Sequence, residues 1–154
     1  MRAVVVCVSV SHGNTAKVAG VIAQELGAEV VEPETAVSRL GGCDLLGVGS
    51  GIFGMAFHPR LRRFAEDLPA APPGAKAFVF WTSGGPELPL WSYSGRMRTT
   101  LVAKGYEVIG AFSCRGWDTW WPLRLVGGVN KGRPNRADLD AARDFAKDLR
   151  GAVR

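Results

Sequence analysis

Ser9, Ser11, His12, Gly13, Asn14 and Thr15 lie in one short stretch, and together they suit one kind of chemistry, the holding of an anion. Small hydroxyls donate hydrogen bonds without filling space, and a glycine lets the backbone turn its N–H groups toward a common point. The stretch follows Ala3 to Val8, apolar throughout and rich in valine, which predicts a strand buried on both faces. After it, Thr15, Val18, Ala19, Ile22 and Leu26 recur at helical spacing as far as Gly27, where a helix would stop. A strand that turns directly into a helix aims free N–H groups and the positive end of the helix dipole at one spot, which is a phosphate site.

Several phosphate chemistries do not match these residues. A Walker loop needs a lysine and then a serine or threonine after its last glycine, whereas Gly13 is followed by Asn14 and Thr15. A low-molecular-weight tyrosine phosphatase loop needs an arginine after its nucleophilic cysteine. The corresponding position after Cys7 is Gly13, so Cys7 reads as a small buried strand residue. A phospho-acceptor receiver needs acids after its first strand, and Val8 to Gly13 has none.

Two more stretches qualify as ligand loops. Gly49-Ser50-Gly51-Ile52-Phe53-Gly54 follows a strand pattern over Asp44 to Ser50 and spells the dinucleotide fingerprint. That fingerprint belongs after a first strand, must open into a helix, and is completed by an acid about 20 residues on. Here the chain runs on through Met55 to Pro59 and reaches Gly74 instead of an acid. Ser50 to His58 is therefore expected to be a loop at a strand end, where glycines let backbone approach a flat ligand. A strand pattern over Lys76 to Trp81 leads to the third stretch, Thr82-Ser83-Gly84-Gly85-Pro86.

Stepping from these residues to the elements that carry them, a short strand is expected over Ala28 to Val31 and a short helix or turn over Glu34 to Leu40. Pro59 opens a helix that buries Leu61, Phe64, Ala65 and Leu68. Leu90 to Lys104 contains a helix, weakly signalled until Met97 to Ala103, a strand covers Tyr106 to Ser113, and a last helix from near Asn135 buries Leu139, Ala142, Phe145, Ala146 and Leu149. Alternating strands and helices predict an α/β fold with a parallel sheet. In the strand order 2-1-3-4-5 the first and third strands flank the crevice, so the loops after them face one site.

The chain has 154 residues, which suits a single domain over 1–154, and it is 47% hydrophobic and 21% charged. No run approaches the ~18 apolar residues of a membrane span, and the start lacks a signal-peptide pattern, so a cytoplasmic location is expected. Cys7, Cys43 and Cys114 show no paired spacing and neither histidine has a metal-ligand neighbour, so neither disulfide nor metal is expected. The formal charge of +5 favours acidic partners or anionic ligands. No recognition helix or stacking array points to nucleic acid. The long connection from Cys114 to Arg136 carries Trp117, Trp120 and Trp121, with Arg115, Arg124, Lys131, Arg133 and Arg136 against Asp118 alone. Those tryptophans are expected to anchor the connection on the sheet edge, and long connections are commonly functional.

Ser-x-Ser-His-Gly-Asn-Thr after the first strand, Gly-Ser-Gly-Ile-Phe-Gly after the third and Trp-Thr-Ser-Gly-Gly after the fourth resemble a short-chain flavodoxin over nearly its whole length. Val10 and His12 stand where that family often has hydroxyl residues, and the basic charge departs from its acidic electron carriers. The resemblance implies a three-layer sandwich, a five-stranded parallel sheet in the order 2-1-3-4-5 with helices on both faces, and the cofactor FMN. By it, Ser9, Ser11, Gly13, Asn14 and Thr15 would hold the phosphate, with the backbone N–H of His12. Ser50, Gly51, Ile52, Phe53 and Gly54 would run beside the isoalloxazine, and Thr82, Ser83 and Gly84 would approach its other edge. Trp81 fits equally as core or as ligand contact. The flavin carries the chemistry, so no catalytic side chain is expected. Three roles stay open: an electron carrier with a redox partner protein, an FMN-dependent oxidoreductase acting on a quinone or other aromatic substrate in the manner of quinone reductases or protoporphyrinogen oxidases, and a non-redox module for another phosphorylated ligand.

Overall fold

The computed structural model describes residues 1–119 and 123–154. Its strands are β1 (Ala3–Val8), β2 (Glu29–Val31), β3 (Leu45–Phe53), β4 (Ala56–Phe57), β5 (Lys76–Ser83) and β6 (Glu107–Arg115). Its α-helices are α1 (Asn14–Leu26), α2 (Pro33–Ala36), α3 (Pro59–Asp67), α4 (Tyr93–Ala103) and α5 (Arg136–Val153). The main sheet runs β2-β1-β3-β5-β6 with every neighbour parallel, which is the expected 2-1-3-4-5 order of five strands. One element is added to it. The chain expected as a loop from Ser50 stays extended to Phe53, turns, and pairs back antiparallel as β4.

Alternation along the strands explains the layers. Val4, Val6 and Val8 of β1 point into one core with Phe57, Leu61, Phe64 and Leu101, under α3 and α4. Ala3, Val5 and Cys7 point into the other with Val18, Ile22, Ala142 and Leu149, under α1 and α5. A central strand covered on both sides must be apolar at every position, as β1 is. Gly47 and Gly49 of β3 serve the second core differently: a Cβ on either would come within 2.3 Å of the rings of Phe78 and Phe80 on β5. The absent side chains are the space those rings fill.

Caps set where the helices begin and end. Gly13 enters α1 at φ 67° and Gly27 leaves it at φ 64°. Pro59 opens α3, and the His58 ring accepts a hydrogen bond from the Arg60 N–H at 3.1 Å. α4 starts at Tyr93, inside the expected stretch Leu90 to Lys104, where Ser92 caps it through the Gly95 N–H at 3.0 Å. Only Tyr93, Met97 and Leu101 of that helix are buried, so its periodicity is faint in the sequence. α5 opens on a reciprocal capping box between Asn135 and Asp138.

Candidate functional site

The parallel strands all end at one edge of the sheet, and the segments leaving β1, β3, β5 and β6 there enclose a cavity of about 550 Å³. The first wall is the turn from β1 into α1. His12 and Gly13 are both left-handed, at φ 53° and 67°, which turns the backbone sharply into the helix. Ser9 Oγ accepts from the Ala16 N–H at 3.1 Å. Among the described residues the N–H groups of Ser11, His12, Gly13 and Thr15 have no acceptor. They stand at the head of α1, where the helix dipole is positive and no acidic side chain occupies the first turn.

The second wall is the β3–β4 hairpin. Phe53 pairs with Ala56 across Gly54 and Met55, whose φ values of 54° and 62° are those of a two-residue primed turn. Gly51, Ile52, Phe53, Gly54 and Met55 line the cavity. The third wall is the end of β5, where Thr82 and Ser83 prolong the strand beyond the expected Trp81. Thr82 Oγ1 and Thr15 Oγ1 hydrogen-bond at 2.8 Å, both buried, and tie the third wall to the first. Arg115 Nη1 donates to the Gly85 carbonyl at 3.0 Å and Asn130 Nδ2 to the Gly84 carbonyl at 2.9 Å, which fix the segment that follows.

A fourth wall comes from the start of the long connection, Gly116 to Thr119. The Trp117 ring stacks on His12 at 3.9 Å between centroids, and His12 Nε2 and Thr119 Oγ1 share a hydrogen bond of 2.8 Å. Asn14 Nδ2 donates to the Trp117 carbonyl at 2.9 Å. A Cβ at Gly116 would sit 2.6 Å from that amide nitrogen, so glycine is what lets the connection press this close. Lys131 Nζ lies 5.7 Å from the Trp117 ring centre.

This is a doubly wound sheet with its cavity at the strand ends, and comparison gives it relatives. No protein-family model matches the chain. The uncharacterized protein MJ0298 of Methanocaldococcus jannaschii is 35% identical over 150 residues, which span 97% of this chain and 98% of that one. The two belong to one family. Among solved structures, a flavodoxin from the domain Archaea superposes with a TM-score of 0.71 at 18% identity, covering 99% of both chains. Flavodoxin 2 from Bacillus cereus superposes at 0.70 with 18% identity, again covering 99% of both. A WrbA-like flavodoxin from Agrobacterium tumefaciens superposes at 0.66 with 15% identity, covering 100% of this chain and 98% of its own. The fold of this family is flavodoxin-like.

Within this flavodoxin-like framework the residues singled out in the sequence separate into two groups. Ser9, Ser11, Asn14, Thr15, Gly51, Ile52, Phe53, Gly54, Thr82, Ser83 and Gly84 all line the one cavity. Ser50, Trp81, His12 and Gly13 do not. Ser50 is fully buried, its hydroxyl donating to the Gly51 carbonyl at 2.7 Å and accepting from the His58 N–H at 3.0 Å, so it braces the hairpin. Trp81 is core, its ring edge-on to Phe57 and Tyr93 at 6.0 and 5.8 Å. His12 faces the long connection. Trp117, expected to pin that connection to the sheet edge, stacks on His12 in the turn between β1 and α1; Trp120 and Trp121 lie outside the described residues. Cys7 is core, and burial, reinforced by Glu32, pushes its thiol up to about 12, far from a nucleophile's range.

Met55, Gly85 and Pro86 line the cavity within the loops singled out in the sequence, whereas sequence reasoning gave no site role to Val10, Tyr93 or Gly116 to Thr119. Only the last group left a signal, a long tryptophan-bearing connection at a sheet's ligand edge. Burial pushes the Tyr93 phenol up, and the Glu87 carboxylate adds to the effect, so Tyr93 is a neutral hydroxyl in the cavity wall at neutral pH.

Proposed function

We propose that the chain binds FMN in this cavity and acts as a flavodoxin-like electron-transfer protein whose redox partner is acidic. The observation that carries the reading is the set of N–H groups of Ser11, His12, Gly13 and Thr15, which have no acceptor among the described residues, at the head of α1 and beside the cavity. A phosphate group satisfies such donors and meets the helix dipole favourably. The cavity volume is within the range of small-molecule sites, about 300–1,000 Å³. Its remaining walls suit a flat, partly polar ring: backbone of Gly51 to Gly54 on one side and of Thr82 to Gly85 on the other.

When bound, FMN supplies the one- and two-electron chemistry. This chain's residues bind and orient it. Ser11 Oγ joins the N–H row on the phosphate. The Thr15–Thr82 hydrogen bond holds the phosphate turn at a set distance from β5, and Arg115 and Asn130 hold the Gly84–Gly85 backbone still. Trp117 and Thr119 brace the turn through His12 from the side of the long connection.

A second reading, an FMN-dependent oxidoreductase for a quinone or other aromatic molecule, is favoured by one feature. The wall at Gly84-Gly85-Pro86 carries no aromatic side chain, and the chain beyond it presents Leu90 and Trp91 to solvent at 91% and 58% exposure. Both readings are tested by the visible spectrum of the purified protein, with and without added FMN, followed by anaerobic stepwise reduction. Uptake of FMN with a stabilised half-reduced form and negligible turnover of quinones by reduced nicotinamide supports the carrier. Uptake with rapid quinone turnover supports the oxidoreductase. Failure to take up FMN overturns both and leaves another phosphorylated ligand.

A further inference from the structure

A second cavity, of about 630 Å³, opens between α3 and α4. Its floor is apolar, made by Phe57, Ala65, Tyr93 and Met97, and its walls carry Arg62 from α3 and Arg96 from α4. Both guanidinium groups are tethered to the β3–β4 hairpin. Arg62 Nε donates to the Phe57 carbonyl at 3.1 Å, and Arg96 Nη2 to the Met55 carbonyl at 3.1 Å. Each tether uses one N–H of a fork that has five, so most donors of both groups remain available.

The contrast with Arg60 on the same helix is informative. Arg60 is held by Glu34 at 2.6 Å and Glu32 at 3.0 Å. Among the described residues, Arg62 and Arg96 have no carboxylate partner. The acid in the cavity wall is Glu66, likewise without an ion-pair partner, so the wall's formal charge is two positive less one negative. A net single positive charge above an apolar floor matches a carboxylate on a ring better than a phosphate dianion. Guanidinium forks bind carboxylates through paired hydrogen bonds, and ring burial supplies the non-directional part.

We infer that the α3–α4 cavity is a binding site for a small aromatic carboxylate, its ring on the Phe57–Tyr93–Met97 floor and its carboxylate between Arg62 and Arg96. The site is separate from the strand-end cavity, although Tyr93 lines both, and it does not depend on what that cavity holds.

The test titrates 2-naphthoate into the full-length protein, alone and after addition of FMN, by calorimetry and by amide shifts in nitrogen-15 spectra. Saturable one-to-one binding with shifts along α3 and α4, kept in the presence of FMN, is expected. Arg62→Gln and Arg96→Gln each weaken it by about tenfold or more, and so does replacing the ligand by naphthalene-2-carboxamide. Arg98→Gln changes the same charge on α4 outside the cavity wall and leaves binding unchanged. Thr99→Trp fills the mouth and abolishes binding. The inference is overturned by absence of saturable binding, by equal losses in Arg98→Gln and Arg96→Gln, which would mean general charge attraction, or by displacement with FMN, which would place the naphthoate in the other cavity.

Discussion

Thr15 and Thr82 show what a single pair of side chains contributes. Their hydroxyls, 2.8 Å apart and buried, are the direct link between the head of α1 and the end of β5. Thr82→Val keeps the shape and leaves the Thr15 hydroxyl unpaired in the interior, so a loss of about 1–3 kcal/mol is expected from urea unfolding. If FMN is the ligand, the same variant is expected to bind it less tightly, because the turn between β1 and α1 loses its brace; an unchanged unfolding midpoint would show that the bond carries no stability. Residue types told much at this scale and orientation told little. Ser11, Asn14 and Thr15 could be picked out because hydroxyls and an amide are rare company for a buried strand end. Ser50 has the same chemistry, yet its hydroxyl braces the hairpin through His58 and Gly51. The difference lies in which partner the side chain meets across the hairpin, and no local pattern encodes that.

At the scale of elements, the register of β3 against β5 depends on two missing side chains. A Cβ at position 49 would lie 2.3 Å from the fully buried Phe80 ring. Gly49→Ala is therefore expected to destabilise by about 1–3 kcal/mol through overpacking, and Phe80→Leu in the same chain to recover part of the loss, read as non-additive shifts of the urea midpoint. The start of α5 gives a pH signature. Arg133 forks onto Asp138, Nη2 to Oδ1 at 2.7 Å, and the Asn135 N–H donates to the same carboxylate at 2.8 Å. These contacts, the arginine bond foremost, hold the carboxyl below its ordinary 3.8. A group lowered on folding stabilises fully above its unfolded pKa and loses that contribution as pH falls through the folded one. Asp138→Asn is expected to cost about 1–2 kcal/mol at pH 7 and progressively less below about pH 4, so the two stability curves converge in acid. A constant gap across that range would mean that the carboxylate charge is irrelevant to the cap.

For the molecule as a whole, ligand binding and folding are linked. If FMN fills the strand-end cavity of the folded chain and not of the unfolded one, free FMN at a hundredfold excess over its Kd should stabilise the protein by about 2.7 kcal/mol. Thermal or urea unfolding with and without FMN measures this, and no shift at high FMN would count against the proposed cofactor. The formal net charge is +5. Arg60, Arg133 and Arg143 are held by acids, while Arg62 and Arg96 line the α3–α4 cavity with no carboxylate against them among the described residues. Part of the positive charge thus stands in the wall of that cavity, with Glu66 beside it.

The strand and helix succession, the buried faces and the convergence of the loops after β1, β3 and β5 were legible in the amino-acid sequence itself. Periodicity, caps and the strand-order rule are local or topological signals, and β1, β3, β5, α1, α3 and α5 are long enough to show them. What only the tertiary structure decided has no such signature. β4 is a two-residue strand, too short for any period to mark. His12 turns away from the cavity because its partners, Trp117 and Thr119, come from the far end of the chain, Thr119 being 107 positions distant. The fourth wall exists because Gly116 allows the connection to close on Asn14. The last two depend on contacts between residues far apart in the chain, and those are settled by packing in three dimensions.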